Sequence, residues 1–261
     1  MIDLSNKTII LTGASGSLGS EISKTMANYG ANLLLIDLDK KKLLNLVNIL
    51  KKDYSQKIEF IECDLEINGE RENLYKKICA NYKSIDGLIN NAGFIGASNL
   101  KGWSEEFDKQ SIDTWRRAIE VNLTAPFHLS QLFKPLLMKS KSANIVNISS
   151  IYGHLGPDWR LYEGTNMANP AAYSASKGGL IQLTKWLSTT LAPNIRVNAI
   201  SPGGIFRNQP KSFVEKYIMK TPLKRMATEK DVAPAVAFFS SEMASYITGQ
   251  TLLIDGGWSA W

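Results

Sequence analysis

Cysteine is scarce in this chain. Its two cysteines, Cys63 and Cys79, have neither metal-ligand nor redox spacing. That pattern argues against a metal site, a disulfide scaffold or dithiol chemistry, and fits a reduced, cytoplasmic setting. Long apolar runs are missing too. None approaches the roughly 18 residues that a spanning helix needs, so no membrane partner is expected. The start, Met1-Ile2-Asp3-Leu4-Ser5, lacks the basic region and cleavage site of a signal peptide. No internal repeat, low-complexity linker or charge tail interrupts the chain.

What is present is ordinary for a globular protein: 261 residues, 44% hydrophobic and 21% charged. This is enough for one large α/β domain or two small ones. The formal charge of +6 raises the question of nucleic acid. The lysines, however, are spread in short groups (Lys40–Lys42, Lys51-Lys52, Lys76-Lys77) within helix-like segments, without interleaved aromatics. A solvated face is the reading we adopt, with no nucleic-acid partner.

Strand and helix patterns alternate from end to end. Thr8–Leu11 reads as a buried strand and runs into T-G-A-S-G-S-L-G, residues 12–19. A helix from about Leu18 to Tyr29 follows, then a strand Asn32–Asp37. Strand, glycine turn, helix, and a strand ending in an acid form the dinucleotide-binding arrangement. The glycines let backbone N–H groups approach a pyrophosphate at a helix N-terminus. Asp37 would bind the adenosine ribose hydroxyls and repel a 2′-phosphate, favouring NAD over NADP, although Lys40–Lys42 nearby would attract one. Further strands are expected at 57–63, 86–89, 143–148, 196–200 and 251–254, with helices at about 40–52, 71–82 and 229–240. One helix is expected from Ile112 to about Leu137, bent or interrupted at Pro126 and Pro135. The pattern gives a single doubly wound domain over residues 1–261, α/β with a parallel sheet and helices on both faces. Segments near 94–111, 153–170 and 205–230 are the loops expected over a substrate, the last resembling a lid.

Within A-A-Y-S-A-S-K-G-G, Tyr173 and Lys177 stand four residues apart in a helical pattern, which sets phenol and ammonium on one face. Tyr-x-x-x-Lys also occurs in ordinary amphipathic helices. A fixed cation would favour the phenolate and make Tyr173 a usable base toward an alcohol.

With T-G-A-S-G-S-L-G, Asn90-Asn91-Ala92-Gly93, Ser149-Ser150, Y-S-A-S-K and Pro202-Gly203 in this order, the chain resembles the short-chain dehydrogenase/reductase family along essentially its whole length. The resemblance implies a Rossmann-type sheet of about seven strands and hydride exchange between a nicotinamide cofactor and a small-molecule alcohol or ketone. It also implies a homo-oligomer, tetramer or dimer. By resemblance, Tyr173 is the acid/base and Lys177 binds the nicotinamide ribose and lowers the tyrosine pKa. Ser150 binds the substrate oxygen, ahead of Ser149, and Asn122 holds a relay water. Cofactor contacts are implied for Gly13, Ser15, Gly16, Ser17, Leu18 and Gly19, for Asp37, Asp64 and Leu65, for Asn91, Ala92 and Gly93, and for Pro202, Gly203 and Ile205, besides Tyr173 and Lys177.

Three features depart from the family pattern. The turn reads Gly13-x-x-Gly16-x-x-Gly19, a form typical of the extended branch, yet the chain ends soon after Asp255-Gly256-Gly257, as in the compact branch. Ser150 and Tyr173 are 23 positions apart, about ten more than is usual. The added residues should roof the substrate site, with Trp159 and Tyr162 stacking on a sugar ring and Asp158, Glu163 and Asn166 binding hydroxyls. Arg207 replaces a common threonine; it is either an anion clamp or a surface arginine on the lid. The expected activity is therefore NAD(P)-dependent oxidation or reduction of a polar, sugar-like or anionic substrate. The pattern also resembles short-chain oxidoreductases of surface-glycan and flagellin-modification clusters. The alternatives are a 3-oxoacyl-carrier-protein reductase and a cofactor sensor without chemistry.

Overall fold

The computed structural model describes residues 1–95 and 100–261. The chain runs β1 (Thr8–Thr12), α1 (Ser17–Asn28), β2 (Asn32–Asp37), α2 (Lys40–Asp53), β3 (Ile58–Glu62), α3 (Asn68–Asn81) and β4 (Gly87–Asn90). It continues as α4 (Ile112–Ile119), α5 (Ala125–Leu137), β5 (Ala143–Ile148), α6 (Ala171–Leu191), β6 (Ile195–Pro202), α7 (Lys211–Lys220), α8 (Glu229–Ser240) and β7 (Thr251–Ile254). The seven strands form one parallel sheet in the order β3-β2-β1-β4-β5-β6-β7.

Alternation along the strands explains why both faces are covered. Ile9 and Leu11 of β1 point into a core shared with Ile22 and Met26 of α1, Leu43 of α2 and Val232 and Val236 of α8. Ile10, between them, points into the opposite core with Leu74 and Ile78 of α3, Phe133 of α5 and Leu187 of α6. A strand buried on both sides must be apolar throughout, which is why these strands read as short unbroken runs.

The segment from Ile112 to Leu137 is an interrupted helix, as expected, whose two α-helical parts meet through residues with helical φ/ψ. Residues Glu120–Thr124 form a π-helical turn between α4 and α5. Pro126 follows this turn directly, after residues that keep helical φ/ψ, and Pro135 lies inside α5. The interruption thus occupies the turn just before Pro126, whose ring crowds the carbonyl four residues back, and tertiary bonds also hold it. The Asn122 side chain accepts from the Phe94 N–H (2.6 Å) and donates to Ser176 Oγ (3.0 Å). Glu120 pairs with Arg71 at 2.7 Å.

The expected lid holds α7, which packs on the insertion before Tyr173. Tyr162, Phe213, Tyr217 and Trp258 form a separate apolar cluster, joined by a run of rings from Trp159 to Trp258 with neighbouring centroids 5.5–5.9 Å apart. Trp258, in the C-terminal tail, is thus part of this chain's own interior. The segment 94–111 is described except for residues 96–99. Its Trp103 is buried and donates from Nε1 to the Ile95 carbonyl (2.6 Å).

Candidate active site

After β3 the chain crosses back to the other side of β1 to form β4, so the loops leaving β1 and β4 diverge and leave a crevice at the carboxyl ends of the strands. A cleft of roughly 880 Å3 lies there. Every residue expected to touch the cofactor lines it: Gly13 and Ser15 to Gly19, Asp37, Asp64 and Leu65, Asn91 to Gly93, Tyr173, Lys177, Pro202, Gly203 and Ile205.

At one end, Gly13 has φ +63°, and a Cβ there would stand 2.7 Å from the Ala92 Cα. Only glycine lets the first turn approach the β4 turn this closely. Asn91 seals the approach by donating from Nδ2 to the carbonyls of Thr12 and Gly13, both at 3.0 Å. No side chain caps α1, which leaves the N-terminal N–H groups of that helix without a side-chain acceptor at the cleft. This cradle fits the pyrophosphate of a dinucleotide. Asp37 ends β2 and accepts from the Ser15 N–H (2.8 Å), so its carboxylate is fixed beside the turn. Of the three lysines that follow, Lys42 reaches the cleft, where Asp39 pairs with it at 3.0 Å. Arg71, not foreseen from the sequence, is buried behind the opposite wall and donates to the Leu65 carbonyl, to His128 Nδ1 (3.1 Å) and to Asn68.

At the other end, α6 presents Tyr173 and Lys177 on one face, the Lys177 Nζ lying 5.8 Å from the centre of the tyrosine ring. Lys177 is buried and donates to the Ile148 carbonyl at the end of β5 (2.8 Å). Burial alone pushes its pKa down to about 8. Tyr173 is half-buried and lines the cleft. Burial raises the phenol above its ordinary value; Ser150 and the positive charge of Arg207 pull it the other way. The depression expected from Lys177 is thus not the main influence on Tyr173 here. The ammonium is itself destabilised by burial and committed to a carbonyl. Ser150 lines the cleft and also accepts from the Tyr152 N–H (3.2 Å), whereas Ser149 donates to the Lys177 carbonyl (2.9 Å). Asn122 is fully buried behind this wall; a Cβ on Gly93 would stand 3.6 Å from its Oδ1 and 3.7 Å from the Lys177 Nζ.

The insertion roofs this end only in part. Tyr162 and residues 167–170 line the cleft. Trp159 does not: it is 56% exposed, on the outer side of a short 3-10 turn that points Leu161 and Tyr162 inward. Asp158 and Glu163 are also absent from the lining. Asp158 is held by Arg160 (2.7 Å) and Lys220 (3.0 Å), and Glu163 by Lys216 (3.4 Å). The two lysine pairs fasten the insertion to α7, and neither carboxylate lines the cleft. Arg207 does line it, with Nε held by Glu229 at 3.2 Å and its terminal amino groups unbonded among the described residues. Asn169, Gln209 and Phe213, from the loops expected over the substrate, complete the wall, together with Tyr152, which the sequence did not single out. Tyr152 had one signal available: it follows Ser150 by two positions.

Comparison with known proteins matches this geometry. The family model described as enoyl-(acyl carrier protein) reductase matches residues 13–259. A 3-oxoacyl-(acyl-carrier-protein) reductase from Rickettsia felis is 37% identical over 265 residues, covering 98% of both chains. The post-translational flagellin modification protein A of Campylobacter coli is 30% identical, covering 98% of this chain and 99% of its own. A crystal structure of a short-chain dehydrogenase from Leptospira borgpetersenii with bound NAD+ superposes with a TM-score of 0.83 at 33% identity, covering 98% of this chain and 94% of that one. With matching motifs, sheet order and relatives along nearly its whole length, the chain belongs to the short-chain dehydrogenase/reductase family of oxidoreductases.

Proposed function

We propose that the protein interconverts a secondary alcohol and a ketone on a polar, sugar-like or anionic small molecule, with NAD preferred over NADP. The observation that carries this reading is the convergence of Ser150, Tyr173 and Lys177 at one end of a cleft whose other end holds Asp37 beside an uncapped helix N-terminus. A nicotinamide cofactor bound along this cleft supplies the hydride acceptor or donor. The chain's own residues handle the proton and the orientation. Ser150 donates to the substrate oxygen. Tyr173 takes the hydroxyl proton during oxidation and returns it to the carbonyl oxygen during reduction. Lys177 binds the ribose beside Tyr173, and Asn122 fixes the Phe94 backbone and the floor beneath them. Arg207, steadied by Glu229 through one nitrogen only, offers its remaining donors to a carboxylate or phosphate on the substrate.

The test is reduced-nicotinamide absorbance with NAD and NADP in parallel, over sugars, uronates, sugar phosphates, nucleotide sugars and a β-ketoacyl thioester. Tyr173→Phe should lose at least about a hundredfold in turnover while still binding cofactor. A protein whose function survives that substitution is a cofactor sensor instead. A second reading, 3-oxoacyl-(acyl-carrier-protein) reductase, is favoured by the Rickettsia relative. Turnover of the thioester alone, with NADPH, would establish it and overturn the roles given to Asp37 and Arg207.

A further inference from the structure

The substrate end of the cleft contains a donor that the reaction itself does not use. Tyr152 follows Ser150 on the wall, and Tyr162 descends from the insertion; their hydroxyl oxygens are 2.6 Å apart. Tyr162 is nine-tenths buried, Tyr152 is half-buried, and both line the cleft. Burial raises the pKa of each phenol, so both keep their protons at neutral pH. The bond from the Tyr152 N–H to the Ser150 hydroxyl places the pair at the reacting end. Two neutral phenols carry two protons, and their mutual bond consumes one. Among the described residues neither hydroxyl has another partner, so one O–H remains unspent at the cleft. A buried donor left without an acceptor costs about 1–3 kcal/mol, a cost that an acceptor oxygen on a ligand removes. The pair is also held rigidly. Tyr162 packs between Trp159 and Phe213, and Tyr152 is anchored through its own N–H to Ser150.

We propose that the Tyr152–Tyr162 pair is a substrate subsite that donates one hydrogen bond to a second oxygen of the substrate, apart from the one being oxidised or reduced. The class selected is an oxygenated ketone or its alcohol, such as a keto ester, a diketone or a keto sugar, over a plain aliphatic ketone. This inference rests on the alcohol–ketone reading of the site and deepens it. No new bond-making step is involved; the pair binds and orients.

The experiment measures kcat/KM with NADH and NADPH for ethyl acetoacetate against 2-hexanone, and for diacetyl against 2-butanone. It compares wild type, Tyr152→Phe, Tyr162→Phe, the double variant and Tyr173→Phe. Comparing ratios between variants cancels the intrinsic reactivity of each ketone, and phenylalanine keeps both rings in their packing. The double variant should lower the oxygenated-to-plain ratio about three- to tenfold, the range of one neutral hydrogen bond. Each single variant should lose no more than the double, because the remaining phenol keeps a proton to donate. An unchanged ratio in the double variant, with turnover still dependent on Tyr173, overturns the subsite and leaves the oxidoreductase reading intact. No reduction of any of these four ketones by the wild type, with turnover of a sugar or sugar phosphate, overturns the stated class alone; silence on both sets overturns both.

Discussion

Lys177 is an ammonium enclosed by protein, with a single carbonyl as its hydrogen-bond partner and no carboxylate paired to it among the described residues. In the unfolded chain its pKa is near 10.5; in the folded chain it is about 8. Between these values the unfolded chain holds a proton that the folded one has released, so stability rises with pH across that window. Below about 8 both states are protonated, and the folded state bears the whole cost of the buried charge. Lys177→Met should therefore abolish turnover yet stabilise the fold at pH 7 by about 1–2 kcal/mol, after the orphaned Ile148 carbonyl offsets part of the gain. Thermal melts at pH 7 and at pH 10 provide the check. The stabilisation should shrink at the higher pH, and a variant less stable at pH 7 would contradict the account. The pairing of Tyr173 with Lys177 was legible in the sequence because helical spacing fixes it. The phenol's raised pKa was not, because it depends on how much protein closes around the ring.

At the scale of elements, the π-helical turn Glu120–Thr124 carries Asn122 and is tied down from outside. Arg71, inside the molecule, joins the Leu65 carbonyl on the cofactor wall to Glu120 at the start of that turn. Arg71→Met leaves these acceptors unmatched and should cost about 2 kcal/mol or more, read as a lowered urea midpoint. Arg71→Lys should recover only part, since one ammonium cannot span the partners of a guanidinium fork. The sequence located the strands well because a parallel strand covered on both faces must be apolar throughout. The helix Glu229–Ser240 and strand Thr251–Ile254 coincide with the bounds expected from the sequence. The break in residues 112–137 falls in the turn just before Pro126, as that proline predicts, and bonds from Phe94, Ser176 and Arg71, all distant in sequence, hold it there. Trp159 was misplaced. Composition marks the insertion as aromatic, but a single 3-10 turn decides that Tyr162 faces the cleft and Trp159 faces away.

At the scale of the whole molecule, the crevice follows from strand order, and its two ends perform separate tasks. On the proposed reading, Asp37 selects the cofactor at the end remote from Tyr173. Asp37→Ala should reduce the preference for NAD over NADP by at least about tenfold, since a carboxylate near a phosphate is repelled by several kcal/mol even when partly screened. The ratio of kcat/KM for the two cofactors measures this directly, and kcat with saturating NAD should change little. An unchanged ratio would mean that discrimination lies elsewhere, with Lys42 the first residue to test.

The run of rings from Trp159 to Trp258 makes this molecule its own optical reporter. Trp258 is buried against Tyr217, with the Lys220 ammonium 4.0 Å above its ring, so its emission depends on where α7 sits. Trp159, at the far end of the run, already faces water, as do Trp115, Trp186 and Trp261, and these supply the background. Displacement of α7 on ligand entry would uncover Trp258 and shift its fluorescence to longer wavelength. With the other five tryptophans (Trp103, Trp115, Trp159, Trp186 and Trp261) replaced by phenylalanine, ligand entry becomes measurable in stopped flow without any attached dye.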